Sequence, residues 1–361
     1  MSEYLYLEAA QFDQPGQWLT DDQFFEVMGG AYLLAPDPEA PGYDHLAGPA
    51  IKQVDIPQPG RYLIWVYTRD WLPEYSPGSF SLSVNGESVG RELGVDDNPD
   101  WHWQQVDEAE LAGQATLEVT SRGQYARFAA VMLSQDASFV PEAGWEAINW
   151  YRREAGAFEK APGERLEVDV VVAGGGVAGI CAALAASREG ASVAFVTGPA
   201  LLGGNASREI FVPVEGAAIG RFHDSLRETG VLDELWMRAM ELGDWHQAAT
   251  EFLEATPVKL LRGFWVESVE KAAANRLATL LARDPLSGKL VEIAAQVYID
   301  CTGDATLGAL AGADYVVGRE TQAEYDETMA LPSEADSKTL SSSMMWRAEK
   351  KEAPVGFTPP P

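Results

Sequence analysis

The chain has 361 residues, 46% hydrophobic and 22% charged, which is enough for two domains with separate cores. Asp and Glu outnumber Lys and Arg by 55 to 26, and the net charge of -29 disfavours nucleic acid and anionic membrane as partners. The two cysteines and four histidines show no metal-ligand spacing, so we expect no metal site.

Residues 1–143 carry short strands separated by Gly and Pro turns, which predicts an antiparallel, jelly-roll-like β-sandwich. The segment 78–86 reads G-S-F-S-L-S-V-N-G and ends on Asn85-Gly86, a dipeptide typical of tight hairpin turns. Together with P-Q-P-G-R-Y-L-I-W-V at 57–66, it resembles the carbohydrate-binding modules attached to polysaccharide-processing enzymes. This resemblance implies a domain that contacts sugars.

Aromatic side chains in this predicted domain are candidates for stacking on sugar rings. They are Trp18, Trp65, Trp71, Trp101, Trp103, Tyr67 and Tyr75. Packing in the core or against the neighbouring domain is the favoured interpretation of each, and Trp65 and Tyr67 alternate on one face of a strand. Trp71 and Tyr75 lie in a Pro-containing loop and are the better ligand candidates, with Arg69 and Asp70 as hydrogen-bonding partners.

Residues 144–165 are predicted to link the two domains. Apolar residues recur at helical spacing from Trp145 to Ala157, and Pro162-Gly163 then interrupts the pattern. We therefore expect a short linker helix whose aromatic face packs on one domain or both.

A glycine-rich turn opens the third region, 166–361, which we predict to be an α/β Rossmann-like domain. An apolar strand, 168–173, leads directly into G-G-G-V-A-G at 174–179, and an Ala-rich helix and a second strand follow at the spacing of a βαβ unit. Gly174 would allow the tight turn, Gly176 the close approach of a pyrophosphate, and Gly179 the close packing of helix on strand. The helix that follows, predicted from Ile180 to Ala186, would bind the pyrophosphate at its positive end. Val177 and Ala178 lie inside the glycine motif and are also predicted to bind the cofactor.

The end of the second strand departs from the usual dinucleotide pattern. An acidic residue that binds the adenosine ribose is expected there, but Thr197 stands in its place. Ribose binding would then use this hydroxyl, a backbone group or a residue from elsewhere.

Two later motifs distinguish flavin from nicotinamide. They are L-L-G-G-N-A-S-R-E-I at 201–210 and V-Y-I-D-C-T-G-D at 297–304. With R-E-T-G at 227–230, they resemble FAD-dependent oxidoreductases related to the fumarate reductase and succinate dehydrogenase flavoproteins. The resemblance implies that the pyrophosphate and flavin ring are lined by Gly203, Gly204, Asn205, Ala206 and Ser207. It also implies that the ribityl chain is approached by Thr302, Gly303 and Asp304. The alternative for G-G-N-A-S is a polar loop after a strand, and the alternative for T-G-D is the N-cap of a helix.

The predicted function is FAD-dependent oxidation, in which a hydride passes from a C–H bond of a sugar, another polyol or another small molecule to the flavin. The candidate acid–base residues are Arg208, Glu209, His223 and His246. An ion pair explains Arg208 and Glu209 equally well, and a structural role is favoured for His223. An NAD-dependent dehydrogenase and a carbohydrate-binding protein with a degenerate nucleotide fold remain alternatives.

The expected partners are a small-molecule or carbohydrate substrate, and the oligomeric state is left open. No signal peptide and no run of about 18 apolar residues is visible, which favours a soluble cytoplasmic protein and leaves secretion or a periplasmic location open. Only about fifty residues follow Gly312, fewer than the resemblance implies. We therefore expect an incomplete cofactor domain that retains little FAD.

Overall fold

The structure is a computed structural model that describes residues 4–37, 46–212, 214, 229–326 and 332–340. The chain forms two compact units. The first comprises Met1–Leu166, Gly263–Glu267 and Leu280–Ala294, and the second comprises Glu167–Arg262, Ser268–Thr279 and Ala295–Pro361. The domain division predicted from the sequence, with 144–165 as a linker, is not decided by this partition and stays a prediction.

The first unit is built on an antiparallel sheet with two short helices. In chain order its elements are β1 (Tyr4–Glu8), β2 (Leu19–Asp21), α1 (Phe25–Met28), β3 (Tyr32–Leu34), β4 (Ala50–Thr68), β5 (Phe80–Val84), β6 (Glu87–Leu93), β7 (His102–Ser121), β8 (Arg127–Ser134) and α2 (Trp145–Glu154). The strand order is β2-β3-β8-β4-β7-β5-β6, and β1 also pairs with β8.

Strands β4 and β7 curl this sheet so that it encloses a core. They pair along their length with register shifts at Ile56/Gly60 and Ile64/Trp65, and such irregularities bend strands and increase their twist. The amino-terminal part of β4 lies beside the part of β7 that pairs with β5, and its carboxyl-terminal part pairs with β8. Ile64 of β4 and Leu82 of β5 belong to one buried cluster. The predicted sandwich is confirmed as a β-sandwich-like unit.

Alternation along β4 sends its other side chains to the outer face of the sheet. Leu63, Trp65 and Tyr67 join a second buried cluster with Trp101 and Trp103, and Ile148 and Tyr151 of α2 pack into it. Trp18 is buried in the first cluster, where its Nε1 donates to the Val119 carbonyl at 3.0 Å. Packing in the core is therefore the role of these five sequence-predicted aromatic residues.

The predicted hairpin turn is also confirmed. Asn85 and Gly86 have φ angles of 51° and 82°. Two successive positive φ angles are what a two-residue turn between twisted strands requires, and Asn-Gly adopts them at the least cost. This turn joins β5 to β6.

The second sheet is built on β9 (Glu164–Ala173), β10 (Val193–Thr197), β11 (Lys259–Arg262), β12 (Trp265–Ala273), β13 (Arg276–Arg283) and β14 (Leu290–Asp300). Its order is β11-β10-β9-β14-β13-β12, and β9, β10 and β11 are parallel neighbours. The helices are α3 (Val177–Arg188), α4 (Gly230–Leu242), α5 (Trp245–Glu254), α6 (Thr306–Leu310) and α7 (Gln322–Tyr325).

The predicted βαβ unit is present as β9, α3 and β10. Ile180, Ala183 and Leu184 of α3 are fully buried against Val172 of β9 and Phe195 of β10. Small alanine side chains let the helix lie close to the strands. Because β9 lies between β10 and β14, the segments that follow these three strands can meet at one edge of the sheet.

Candidate functional site

The glycine turn joins β9 to α3 without an intervening loop. The Gly174 N–H donates to the Val196 carbonyl at 2.9 Å, and the Ile180 N–H donates to the Gly176 carbonyl at 3.0 Å, which closes the first turn of α3. The N-cap residue is Gly176, and no side chain caps the helix. The first N–H groups of a helix have no partner within the helix, and such groups can bind an anion.

Three glycines of the turn are required by the protein itself. A Cβ at Gly174 would lie 2.2 Å from the Cys301 carbonyl oxygen, and its φ of +107° is unfavourable for other residues. A Cβ at Gly179 would lie 1.9 Å from the Gly174 oxygen, and one at Gly175 would lie 2.1 Å from the Thr197 hydroxyl. The predicted roles of Gly174 in the turn and of Gly179 in close packing agree with these distances.

Gly176 differs from the other three glycines. Its φ is -72°, an ordinary value, and a Cβ added there would meet no atom of the described chain within 4 Å. Neither backbone strain nor packing therefore explains a glycine at this position. Close approach of a ligand to the backbone would explain it. Gly303 shares this property, since a Cβ added there would also meet no described atom within 4 Å.

The segment after β10 lies directly on the glycine turn. The Gly203 N–H donates to the Gly175 carbonyl at 2.8 Å, and Gly203 forms a parallel bridge with Gly176. Gly203 and Gly204 have φ angles of +115° and +55°, and a Cβ on Gly204 would lie 3.0 Å from the Gly176 Cα. Both glycines are thus required for the backbone to pass this close to the turn.

Helix α5 supports this segment with its first turn. The Leu202 N–H donates to Nδ1 of His246 at 3.0 Å, and the Trp245 Cβ would lie 3.1 Å from a Cβ on Gly203. Asp244 caps the helix by accepting from the N–H groups of His246 and Gln247 at 2.8 and 3.2 Å. These contacts fix where the segment 202–207 lies.

The T-G-D segment reaches the turn from β14. The Cys301 N–H donates to the Ala173 carbonyl at 2.8 Å. Asp300 then organises the next residues: its Oδ1 accepts from the Thr302 N–H at 2.9 Å and from the Thr302 hydroxyl at 2.7 Å, and its Oδ2 accepts from the Gly308 N–H at 2.8 Å. The Thr302 hydroxyl in turn accepts from the Thr306 N–H at 2.7 Å.

The three sequence-predicted segments therefore converge at the amino terminus of α3. Ala178, Asn205, Gly303 and Asp304 are exposed, whereas Ser207 is fully buried and holds the loop, its Oγ accepting from the Glu209 N–H at 3.3 Å. The cofactor roles of Gly203 to Ser207 and Thr302 to Asp304 stay predictions.

Thr197 does not face the solvent. It is 1% exposed, its hydroxyl lies beside Gly175, and it donates to the Pro199 carbonyl at 3.4 Å. A threonine at the end of β10 thus fills the space that the missing side chain of Gly175 leaves. This packing role explains the residue without a contact to ribose.

The candidate acid–base residues are placed unequally. Arg208 is exposed and lies 3.8 Å from the Asp244 carboxylate, and Glu209 is also exposed. His246 uses Nδ1 to accept from Leu202, so that nitrogen is not free to act as a base. His223 lies outside the described residues.

Sequence reasoning missed three residues that shape this site, namely Asp300, Asp244 and Trp245. Asp244 could have been found as an N-cap, because it follows a glycine and precedes an amphipathic helix. Asp300 could have been found as a side chain that follows a buried strand and precedes a turn. Trp245 carries no such signal, since its role depends on the packing of α5 against Gly203.

Neither cysteine is paired, and burial raises the pKa of the Cys181 and Cys301 thiols. Both groups are therefore protonated thiols at neutral pH. Within the described ranges, no cluster of three or more His, Cys, Asp or Glu side chains is arranged to hold a metal ion. In the same part of the chain, no helix combines the length and apolar character that crossing a bilayer requires.

The site fits a dinucleotide cofactor on three observations. Backbone N–H groups stand at an uncapped helix terminus, Gly176 and Gly303 leave room where side chains would project, and two further segments flank the turn. Nothing in the geometry of the described residues requires a metal.

Comparison with known proteins identifies the second part of the chain. Residues 169–357 match the model of a family described as FAD dependent oxidoreductase. No curated protein sequence gives a significant match.

Similar solved structures include the THI4 protein of Thermovibrio ammonificans, at 22% identity and a TM-score of 0.31, over 43% of this chain and 67% of that one. Another is the p-nitrophenol 4-monooxygenase PnpA of Pseudomonas putida DLL-E4, at 18% identity and a TM-score of 0.30, over 44% and 46%.

A third is a carbohydrate-binding module of Cellvibrio mixtus lichenase 5A in complex with cellotriose, at 14% identity and a TM-score of 0.27, over 36% and 96%. All three TM-scores are below 0.5, so these likenesses decide neither fold nor function. The family match stands without them and covers more than half of the residues, and the chain therefore belongs to the FAD dependent oxidoreductase family.

Proposed function

We propose that this chain binds FAD at the amino terminus of α3 and oxidises a C–H bond of a sugar or another polyol. The observation that carries the proposal is the character of Gly176. Among the described residues, neither packing nor backbone strain requires a glycine here, and the position is one that a pyrophosphate would approach.

The residues of the turn would hold the cofactor by backbone contacts. The N–H groups of Gly176, Val177 and Ala178 stand at the positive end of α3, which favours a doubly charged pyrophosphate. The segment from Gly203 to Ser207 would line the pyrophosphate and flavin ring, and Thr302 to Asp304 would approach the ribityl chain. When bound, FAD supplies the acceptor for the hydride.

The chain's own residues would position the substrate carbon and accept the proton of the substrate hydroxyl. If the substrate is an alcohol, a base must take the hydroxyl proton. Arg208, Glu209 and His223 remain candidates, whereas Nδ1 of His246 already accepts from the Leu202 N–H. Among the described candidates, Glu209 is an exposed carboxylate two residues after the buried Ser207. The relation to the fumarate reductase flavoproteins stays a prediction.

The test is to purify the full chain, add excess FAD, remove unbound flavin and record the visible absorption spectrum. We expect bound flavin whose absorption is bleached anaerobically by a polyol substrate. NAD⁺ is the control, because a nicotinamide enzyme would bind it and leave the protein colourless. Binding of NAD⁺ in preference to FAD would contradict the proposal.

A second candidate function, carbohydrate recognition by the first unit, is favoured by aromatic side chains that the core does not bury. Tyr75 is 71% exposed, and the ring of Trp71 meets that of Tyr125 edge-on at 5.6 Å. Asp70 is fully buried and holds the loop between them by accepting from the Ser76 hydroxyl at 2.5 Å. Asp70 therefore shapes the loop rather than facing a sugar.

One arginine borders these rings. The Arg127 guanidinium lies 5.2 Å from the Trp71 ring centre, whereas that of Arg69 lies over another ring, 4.7 Å from the centre of Phe24. Burial lowers the pKa of both arginines, and the charge of Arg127 lowers that of Arg69 further. Both remain protonated, so they are hydrogen-bond donors beside flat apolar rings.

Titration of intrinsic tryptophan fluorescence with soluble oligosaccharides, cellotriose among them, tests this second function. We expect Tyr75→Ala to weaken binding several-fold. Tyr315→Ala is the matched control, because Tyr315 is 69% exposed and lies in the second unit. Equal binding by both variants, or no binding by the unmodified protein, would contradict carbohydrate recognition at these rings.

A further inference from the structure

His246 is hydrogen-bonded to the segment 202–207 through a ring nitrogen that carries no proton. The Leu202 N–H donates to Nδ1 at 3.0 Å. A ring nitrogen that accepts a hydrogen bond carries no proton, so this contact assigns a neutral imidazole with its hydrogen on Nε2. The two residues are 44 positions apart in the sequence, and the bond joins the first turn of α5 to the segment after β10.

Leu202 is the residue through which this bond acts on the glycine turn. Its side chain is fully buried in the core of the second unit, and Gly203 follows it immediately. The Gly203 N–H donates to the Gly175 carbonyl at 2.8 Å. The segment is thus held by the turn at Gly203 and by α5 at Leu202, on successive backbone N–H groups.

We propose that His246 is a positioning residue whose neutral imidazole holds the segment 202–207 against the glycine turn, so that the affinity for FAD depends on the protonation of His246. The inference rests on the proposed function, because it takes the turn to be the flavin site. It replaces the role of a base, which we predicted from the sequence, with a role in binding.

Most of the groups around the imidazole lower the pKa of His246. Burial, Arg262 at the end of β11 and Arg208 in the loop lower the pKa of His246, whereas Asp244 on its own helix raises it. The net shift is downward, so the neutral form is favoured in the folded protein. The bond to Leu202 is therefore intact at neutral pH and is lost as the pH falls through this lowered pKa, below the ordinary value of about 6.5.

Protonation would place a second N–H donor opposite the Leu202 N–H. The hydrogen bond is then lost and two donors face each other, which disfavours the position of the segment. Loss of one such hydrogen bond changes an equilibrium by about tenfold, and we expect the dissociation constant for FAD to rise by about that factor in acid.

The experiment measures the dissociation constant for FAD by flavin fluorescence between about pH 5 and 8, the range in which a histidine titrates. It compares the unmodified protein with His246→Asn and His246→Leu. The Asn Oδ1 stands close to the position of Nδ1 and can accept from Leu202, but it does not titrate. Leu has a similar volume and accepts no hydrogen bond.

A matched control is His102→Asn, since His102 lies in the first unit and its Nε2 is 2.7 Å from the Asp96 carboxylate. We expect the affinity for FAD to fall as the pH is lowered in the unmodified protein and in His102→Asn. We expect it to be independent of pH in His246→Asn and low at every pH in His246→Leu. NMR titration of the imidazole should give a His246 pKa that matches the midpoint of the affinity change.

Two results distinguish the ways in which the inference can fail. If the unmodified protein binds FAD and His246→Asn or His246→Leu shows the same affinity and pH profile, the inference is wrong and the proposed function stands. If the folded, unmodified protein binds no FAD at any pH, the proposed function is wrong, and the inference is overturned with it.

Discussion

Replacement of single glycines in the turn by alanine should separate positions required for folding from the position required for binding. A Cβ at Gly179 would lie 1.9 Å from the Gly174 oxygen, although real Cβ contacts are essentially never under 3.0 Å, so helix α3 must move away from the strand. Forced overpacking of this kind costs about 1–3 kcal/mol or more. Gly179→Ala should therefore lower the melting temperature by several degrees.

Gly176→Ala should leave stability almost unchanged. The residue has an ordinary φ of -72°, and its Cβ would meet no atom of the described residues within 4 Å. Alanine loses less entropy on folding than glycine but is a poorer N-cap, and these effects nearly cancel to within about 1 kcal/mol. A methyl group at this position would hold a pyrophosphate away from the helix terminus. Loss of one charge-assisted hydrogen bond, worth about 1.5–3 kcal/mol, weakens FAD binding by about ten- to a hundredfold.

Thermal unfolding followed by circular dichroism and titration with FAD should be run on both variants. We expect Gly176→Ala to have the melting temperature of the unmodified protein and to bind FAD poorly. Full retention of FAD affinity by Gly176→Ala would refute the assignment of this glycine to the cofactor. An unaffected melting temperature in Gly179→Ala would refute the packing argument that separates the two positions.

Two further changes test buried or loop-forming interactions, one within each unit. Arg152 of α2 is fully buried, and its Nε donates to the Glu8 carboxylate at 2.9 Å. Arg152→Met should therefore lower the free energy of unfolding in urea by about 3–5 kcal/mol, and adding Glu8→Leu should restore most of that loss. Equal losses in the single and double variants would contradict a coupled pair. Asp300→Asn places an amide donor where a carboxylate oxygen now accepts from the Gly308 N–H. The change should destabilise the T-G-D turn by about 1–3 kcal/mol and weaken FAD binding. Unchanged FAD binding would show that this turn is not part of the site.

The sequence predicted those parts of the fold that local patterns determine. Alternation in Ser79–Val84 and the turn at Asn85-Gly86 depend on neighbouring residues, and the structure has both. The spacing of Gly174, Gly176 and Gly179 likewise predicted the strand, the turn and the helix, because each glycine answers a requirement of the βαβ unit.

Contacts between distant residues lay beyond this reasoning. His246 contacts Leu202 across 44 residues, and only the packing of α5 brings them together. The tryptophans show the same limit: Trp71 and Trp101 have the same chemistry, but Trp101 is buried on the outer face of the sheet and Trp71 is in a loop. The segments Gly263–Glu267 and Leu280–Ala294 join the first unit although they follow the glycine turn in the chain, which no linear boundary predicts.

The most direct test of the central claim is a crystal structure of the full chain with FAD. The account predicts pyrophosphate oxygens at hydrogen-bond distance, about 3 Å, from the N–H groups of Gly176, Val177 and Ala178, with the segment from Gly203 to Ser207 beside them. FAD bound at another place, or bound with these three N–H groups facing solvent, would contradict it.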